Sequence, residues 1–159
     1  DRTGADIVVG GLNRDRPRFE VLNGIGIETE VLEATTPHDV AAARGEPFDV
    51  LVDATGSTAA LEDGLRAVRP GGEAVVIGIP SGTMGVETPS FVRSEQRVSG
   101  SYGARPADFE RAIELIEDLG DRIDRTIVDF APENAPDAFT AFAEGEVIKP
   151  VLNIASLRT

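Results

Sequence analysis

Two strings hold the small and polar residues around which a ligand could be bound: Asp49-Val-Leu-Val-Asp-Ala-Thr-Gly-Ser57 and Arg69-Pro-Gly-Gly-Glu-Ala-Val-Val-Ile-Gly-Ile-Pro80. Each is an apolar, β-branched run that breaks into small residues, the first at Ala54, Thr55 and Gly56, the second at Gly78, Ile79 and Pro80. A helix-like segment separates them, so they read as a strand–helix–strand unit. In an open parallel sheet, ligands bind beyond the carboxyl ends of the strands, which makes these two exits the place to look for chemistry. Small residues there let a flat or charged ligand approach the backbone. The same residue types also simply end strands, and on the residues alone both readings stand. Asp53 closes the first run, where a carboxylate either hydrogen-bonds loop amides or orients a ligand; structural support is the favoured role.

The remaining reactive residues are few. Cysteine is absent, which removes disulfides, thiolate nucleophiles and cysteine zinc ligands, and the only histidine is His38. It lies in Thr36-Pro37-His38-Asp39 and reads as a solvated loop residue rather than a base or a metal ligand. No metal site of ordinary composition is expected. Acidic residues number 28 against 15 basic ones, a net charge of −13, and Lys149 is the only lysine. Acid excess with lysine almost removed looks like the composition of haloarchaeal proteins, in which high salt screens the self-repulsion of a charged surface. Nucleic acid is excluded as a partner on the same ground. The first residues carry no apolar signal segment and no run is long enough to span a membrane, so the expected setting is cytoplasmic.

These residues need elements to position them. At 159 residues the chain fits a single domain, 1–159, that can bury a core. Asp6–Gly11 reads as a buried parallel strand, with a helix from Arg16 to Leu22 whose Pro17 suits a first turn. A shorter edge strand follows at Ile27–Leu32, and then a weak helix through Val40 to Ala43. Phe48–Ala54 reads as a central strand. Ser57 or Thr58 caps a helix reaching Val68, and Pro70-Gly-Gly72 turns the chain into a strand at Ala74–Ile79. Pro80 to Ser90 reads as a long connection and Arg97–Gly103 as another strand. The clearest helix starts at Pro106 and ends at Gly120, with Phe109, Ala112, Ile113, Ile116 and Leu119 forming one apolar stripe. A strand at Thr126–Phe130, a helix at Ala135–Ala143 with Phe139 and Phe142 on its inner side, and a strand at Pro150–Ile154 complete an α/β chain.

In this order the strings resemble the medium-chain dehydrogenase/reductase family, the zinc-type alcohol, threonine and polyol dehydrogenases. The resemblance rests on Val52-Asp-Ala-Thr-Gly-Ser57, Leu65-Arg-Ala-Val-Arg-Pro-Gly-Gly72, Val76-Ile-Gly-Ile-Pro-Ser-Gly82, Val98-Ser-Gly-Ser-Tyr-Gly103 and Ala141-Phe-Ala-Glu-Gly-Glu-Val-Ile-Lys-Pro-Val-Leu152. It implies a Rossmann-like doubly wound sheet of order 3-2-1-4-5-6. Members of this family carry a preceding catalytic domain with the zinc ligands, and then a first strand with a Gly-x-Gly-x-x-Gly turn for the pyrophosphate. Neither is found in these residues. The chain is therefore expected to be the C-terminal, coenzyme-binding portion, to have no dehydrogenase activity alone, and to leave two inner strand edges open where the first strand would lie. Open edges favour closing of the gap, strand exchange or a homo-oligomer. Residues 121–159 are expected to return toward the catalytic domain, and the segment near Met84 to Gly100 to support dimerisation.

The resemblance also distributes roles around NADP or NAD. It places Ala54, Thr55 and Gly56 along the adenosine and ribose region, Gly78, Ile79 and Pro80 near the nicotinamide carboxamide, and Ser101, Tyr102 and Gly103 on the strand behind it. Coenzyme choice is read where the second family strand ends: an acid there meets the ribose 2′-hydroxyl of NAD, whereas arginine accommodates the 2′-phosphate of NADP. Gly11 stands at the position of that acid. Asn13, Arg14 and Arg16 follow, and a guanidinium fork suits phosphate oxygens, which favours NADP; as solvated loop charges they would favour neither. Lys149 matches the cation that contacts the pyrophosphate, or is an inconsequential surface lysine. Substrate identity is not legible. The alternative to an enzyme part is a non-catalytic nucleotide-binding or dimerisation module.

Overall fold

A computed structural model describes residues 4–155. In chain order its elements are β1 (Val8–Gly11), α1 (Arg16–Gly24), β2 (Glu28–Val31), α2 (Pro37–Arg44), β3 (Phe48–Asp53), α3 (Thr58–Ala67), β4 (Val68–Val76), α4 (Thr88–Ser94), β5 (Arg97–Gly100), α5 (Pro106–Leu119), α6 (Asp121–Asp124), β6 (Ile127–Phe130), α7 (Ala135–Ala143) and β7 (Lys149–Leu152). They fall into two compact units, one built from the described parts of 1–33 and 105–159, the other from Ala34–Ala104. No helix among the described residues is long and apolar enough to cross a membrane.

In the first unit β1 pairs parallel with β2, Val8 opposite Glu28 and Gly11 opposite Val31, and β6 pairs parallel with β7. Pro17 lies in the first turn of α1, where its missing N–H costs no hydrogen bond. Phe19 on α1 and Ala138 on α7 are buried. The expectation that Phe139 and Phe142 face inward is corrected: Phe139 is 74 % exposed and Phe142 is also exposed, because the inner side of α7 is the small Ala138. The apolar stripe of α5 is likewise open, with Phe109, Ile113 and Ile116 exposed.

The second unit is a parallel sheet of order β3-β4-β5. Helix α3 begins where the Ser57 hydroxyl accepts from the Ala60 N–H at 3.3 Å, and it buries Leu61 and Ala67. With Val40 and Ala41 of α2, Val68 and Ala74 of β4, these side chains form the core. Three expectations are corrected here. Pro70-Gly-Gly72 lies inside β4, which absorbs it as a register irregularity opposite Phe48 and Val50. Residues 88–94 form α4 rather than a connection, with Pro89 in the first turn. Strand β5 ends at Gly100, so Ser101, Tyr102 and Gly103 follow the strand instead of lying on it.

The β1-β2 and β3-β4-β5 ladders agree with their parts of the order 3-2-1-4-5-6, and the β6-β7 pair lies outside it. Among the described residues β1 pairs only with β2 and β3 only with β4.

Candidate functional site

In the second unit the exits of β3 and β4 meet backbone to backbone. The Asp53 carbonyl accepts from the Ile77 N–H at 2.9 Å and the Gly78 N–H at 3.0 Å. A Cβ at Gly78 would lie 2.5 Å from the Gly56 nitrogen and 3.1 Å from the Thr55 nitrogen, so glycine is what permits the contact. Asp53 is 4 % exposed. Its Oδ1 accepts from the Thr55 N–H at 3.0 Å and the Thr55 hydroxyl at 2.7 Å, and Thr55 Oγ1 accepts from the Ser57 N–H at 3.1 Å. A hydrogen-bonded chain thus runs from the strand end to the cap of α3. Asp53 is part of the scaffold, although its buried Oδ2 has no hydrogen-bond partner. Around this scaffold Ala54, Thr55 and Ile79 are exposed, while Gly56, Gly78 and Pro80 are half-buried. The Ser101 N–H donates to the Val76 carbonyl at 2.9 Å and Tyr102 is 91 % exposed. The rim exposes backbone groups and apolar edges.

In the first unit the candidate residues lie on the turn that leaves β1. A Cβ at Gly11 would lie 2.8 Å from Phe19 Cζ and 3.0 Å from Asp15 Oδ2, so a side chain there would have to displace both. Asp15 Oδ2 accepts from the Leu12 N–H at 2.9 Å and closes the turn. The backbone N–H of Asn13 donates to Glu33 Oε1 at 3.2 Å and its side-chain amide donates to Glu33 Oε2, while its Oδ1 accepts from Arg16 Nε at 3.0 Å. Arg14 is exposed and has no ion-pair partner among the described residues. Lys149 is exposed at the start of β7, held by its N–H to the Thr126 carbonyl at 3.1 Å.

The structure therefore groups Gly11, Asn13, Arg14 and Arg16 on one turn. Sequence reasoning missed Glu33, which anchors Asn13; the available signal was an acid two residues past the end of the strand paired with β1. It also missed Arg18, which binds carbonyls 124 and 129 residues away, and nothing local announces such a partner. His38 stands apart, its Nδ1 3.3 Å from the Arg66 carbonyl. No group of three or more His, Cys, Asp or Glu among the described residues could hold a metal ion, so zinc finds no ligand set there.

Residues 2–118 match the sequence profile described as zinc-binding dehydrogenase. Glucose 1-dehydrogenase of Halobacterium salinarum is 28 % identical over 144 residues, which cover 87 % of this chain and 40 % of that protein. Among solved structures, 2R,3R-butanediol dehydrogenase from Bacillus subtilis superposes with a TM-score of 0.80 at 20 % identity, covering 96 % of this chain and 45 % of its own. Haloferax mediterranei glucose dehydrogenase, in complex with NADP, zinc and gluconolactone, superposes with a TM-score of 0.73 at 21 % identity, covering 87 % and 41 %. The chain spans about two fifths of the length of these relatives. With the ordered strings, the parallel ladders and a profile match over most of its length, this chain belongs to the zinc-binding dehydrogenase family.

Proposed function

We propose that the chain is the coenzyme-binding portion of a zinc-type oxidoreductase acting on the CH–OH group of an alcohol, polyol or sugar, and that it takes NADP in preference to NAD. The observation that carries the preference is the turn after β1: Gly11 stands where the acid would be, a side chain there would have to displace the Phe19 ring and the Asp15 carboxylate, and two guanidinium groups, Arg14 and Arg16, follow. A relative of known structure holds NADP, which supports the same reading. When bound, the nicotinamide ring accepts or donates hydride. The residues of this chain bind and orient. Arg14 and Arg16 take the 2′-phosphate, with Asn13 fixing the Arg16 side chain. Lys149 takes the pyrophosphate. Ala54, Thr55 and Gly56 present backbone to the ribose region, and Gly78, Ile79, Pro80, Ser101 and Tyr102 border the nicotinamide side. Zinc belongs to a ligand set outside these residues, and the setting is cytoplasmic.

Titration of NADPH and NADH in molar KCl, read by nicotinamide fluorescence, tests the reading. NADPH is expected to bind more tightly, and Arg14→Ala to weaken it about tenfold while leaving NADH unchanged, as loss of one charge-assisted bond predicts. Equal affinities, or an Arg14→Ala chain that binds NADPH normally, would remove the preference. The open edges of β1 and β3 support a second reading, an assembly module that dimerises without binding nucleotide; no saturable binding of either nucleotide favours it.

A further inference from the structure

Arg18 makes four contacts that the coenzyme reading does not use. From α1 its Nη1 pairs with Asp15 Oδ1 at 3.0 Å, its Nε donates to the Val147 carbonyl at 2.9 Å, its Nη2 donates to the Phe142 carbonyl at 2.6 Å, and its guanidinium lies 5.2 Å from the centroid of the Phe142 ring. The side chain is largely shielded, with 26 % of it exposed, and the Asp15 side chain with 18 %. The Phe142 carbonyl is one of the last of α7, at the negative end of that helix, where a cation is favoured. A planar fork can satisfy both carbonyls and the carboxylate at once, and the point charge of a lysine cannot.

A second contact joins the same two segments. Gly145 has φ +82°, and a Cβ there would lie 2.6 Å from the Arg14 carbonyl oxygen, so segment 142–147 sits directly against the turn bearing Arg14 and Arg16. Asp15 extends the connection through its bond to the Leu12 N–H. We propose that Arg18 is a positioning residue for coenzyme binding, docking the segment that leads into Lys149 onto the turn that carries Arg14 and Arg16. It acts through those residues and touches no coenzyme itself. The proposal rests on the reading of the turn as the 2′-phosphate site, and it adds a coupling between that turn and Lys149.

The test measures NADPH affinity for the wild-type chain, Arg18→Ala, Arg18→Lys, Lys149→Ala and the double variant R18A/K149A in molar KCl, with amide hydrogen exchange on each. Arg18→Ala is expected to raise the NADPH Kd about tenfold, and Arg18→Lys not to restore it. Lys149→Ala is expected to weaken binding in the wild-type background and to add little in the Arg18→Ala background. Amides of residues 144–149 should exchange faster in Arg18→Ala while those of β3 to β5 keep their rates. Should Arg18→Ala fail to fold, Gly145→Ala keeps Arg18 and displaces the segment by its Cβ, and it should raise the Kd in the same way. An Arg18→Ala chain with wild-type affinity, or losses that multiply in the double variant, would overturn the coupling alone. A wild-type chain that does not bind NADPH overturns the coenzyme reading and this proposal with it.

Discussion

Asp53 shows how one buried carboxylate holds the loop between β3 and α3 in shape. Its Oδ1 satisfies both the N–H and the hydroxyl of Thr55, and Thr55 in turn satisfies the Ser57 N–H, so removing one side chain releases the loop between β3 and α3. The Thr55 donors are partly open to water, so Asp53→Ala is expected to lower unfolding stability by about 1 kcal/mol, the net contribution of an ordinary intramolecular hydrogen bond. Asp53→Asn keeps an acceptor oxygen for Thr55 and should lose much less. Urea denaturation of the two variants checks this, and an Ala variant as stable as the Asn variant would show that the loop does not depend on the bond. The sequence left two roles open for this residue. What decided between them was a pair of hydrogen bonds two residues away, a local pattern that an acid followed by Ala-Thr-Gly at a strand end can form.

An Asp carboxylate in the first turn caps both α2 and α5, reciprocally in α2 alone. Thr36 donates its N–H and hydroxyl to Asp39 Oδ2 at 2.9 and 2.7 Å and accepts from the Asp39 N–H at 3.2 Å. Asp108 Oδ2 accepts from the Arg105 N–H at 2.8 Å. The Thr36 hydroxyl bond, then its backbone bond, hold the Asp39 carboxyl below its ordinary value of 3.8, and the Arg105 backbone and side chain do the same to Asp108. Because folding lowers both values, the caps contribute fully above pH 3.8 and lose that contribution as the pH falls through the lower folded values. The Thr36 and Arg105 amides, which donate to the two carboxylates, are therefore expected to lose their protection, relative to intrinsic exchange rates, as the pH falls through that acid range. Asp39→Asn should abolish the pH dependence at Thr36 alone; an unprotected Thr36 amide near neutrality in the wild-type chain would refute the assignment. Elements with such punctuation were the legible ones: α5 runs from Pro106 to Leu119 as its proline and Gly120 dictate. By contrast α4 was hidden because its seven residues have no side-chain cap and follow a Gly-rich stretch. Pro70-Gly-Gly72 misled for the opposite reason, since its turn residues are absorbed as an irregularity within β4.

At the scale of the molecule, apolar surface and charge oppose one another. Val50 and Val52 on β3 are 55 % and 60 % exposed, the stripe of α5 is uncovered, and among the described residues no large side chain is fully buried. Among the described residues strand β3 also keeps one unpaired edge. Such an edge templates pairing with another strand, and a net charge of −13 opposes the approach of a second copy. The balance is set by salt, because the screening length falls from about 10 Å at 0.1 M to about 3 Å at 1 M. The chain is thus expected to sediment as a monomer in dilute buffer and to associate in molar KCl. Val52→Lys, which adds a second exposed charge to a strand that already carries Asp49, should keep it monomeric in both conditions without altering the ladder to β4, whose bonds are made by the backbone. Sedimentation velocity at the two salt concentrations distinguishes the causes. Association of the Lys variant to the wild-type extent would move the interface away from β3 and toward the stripe of Phe109, Ile113 and Ile116, where Ile113→Lys would then be the decisive variant.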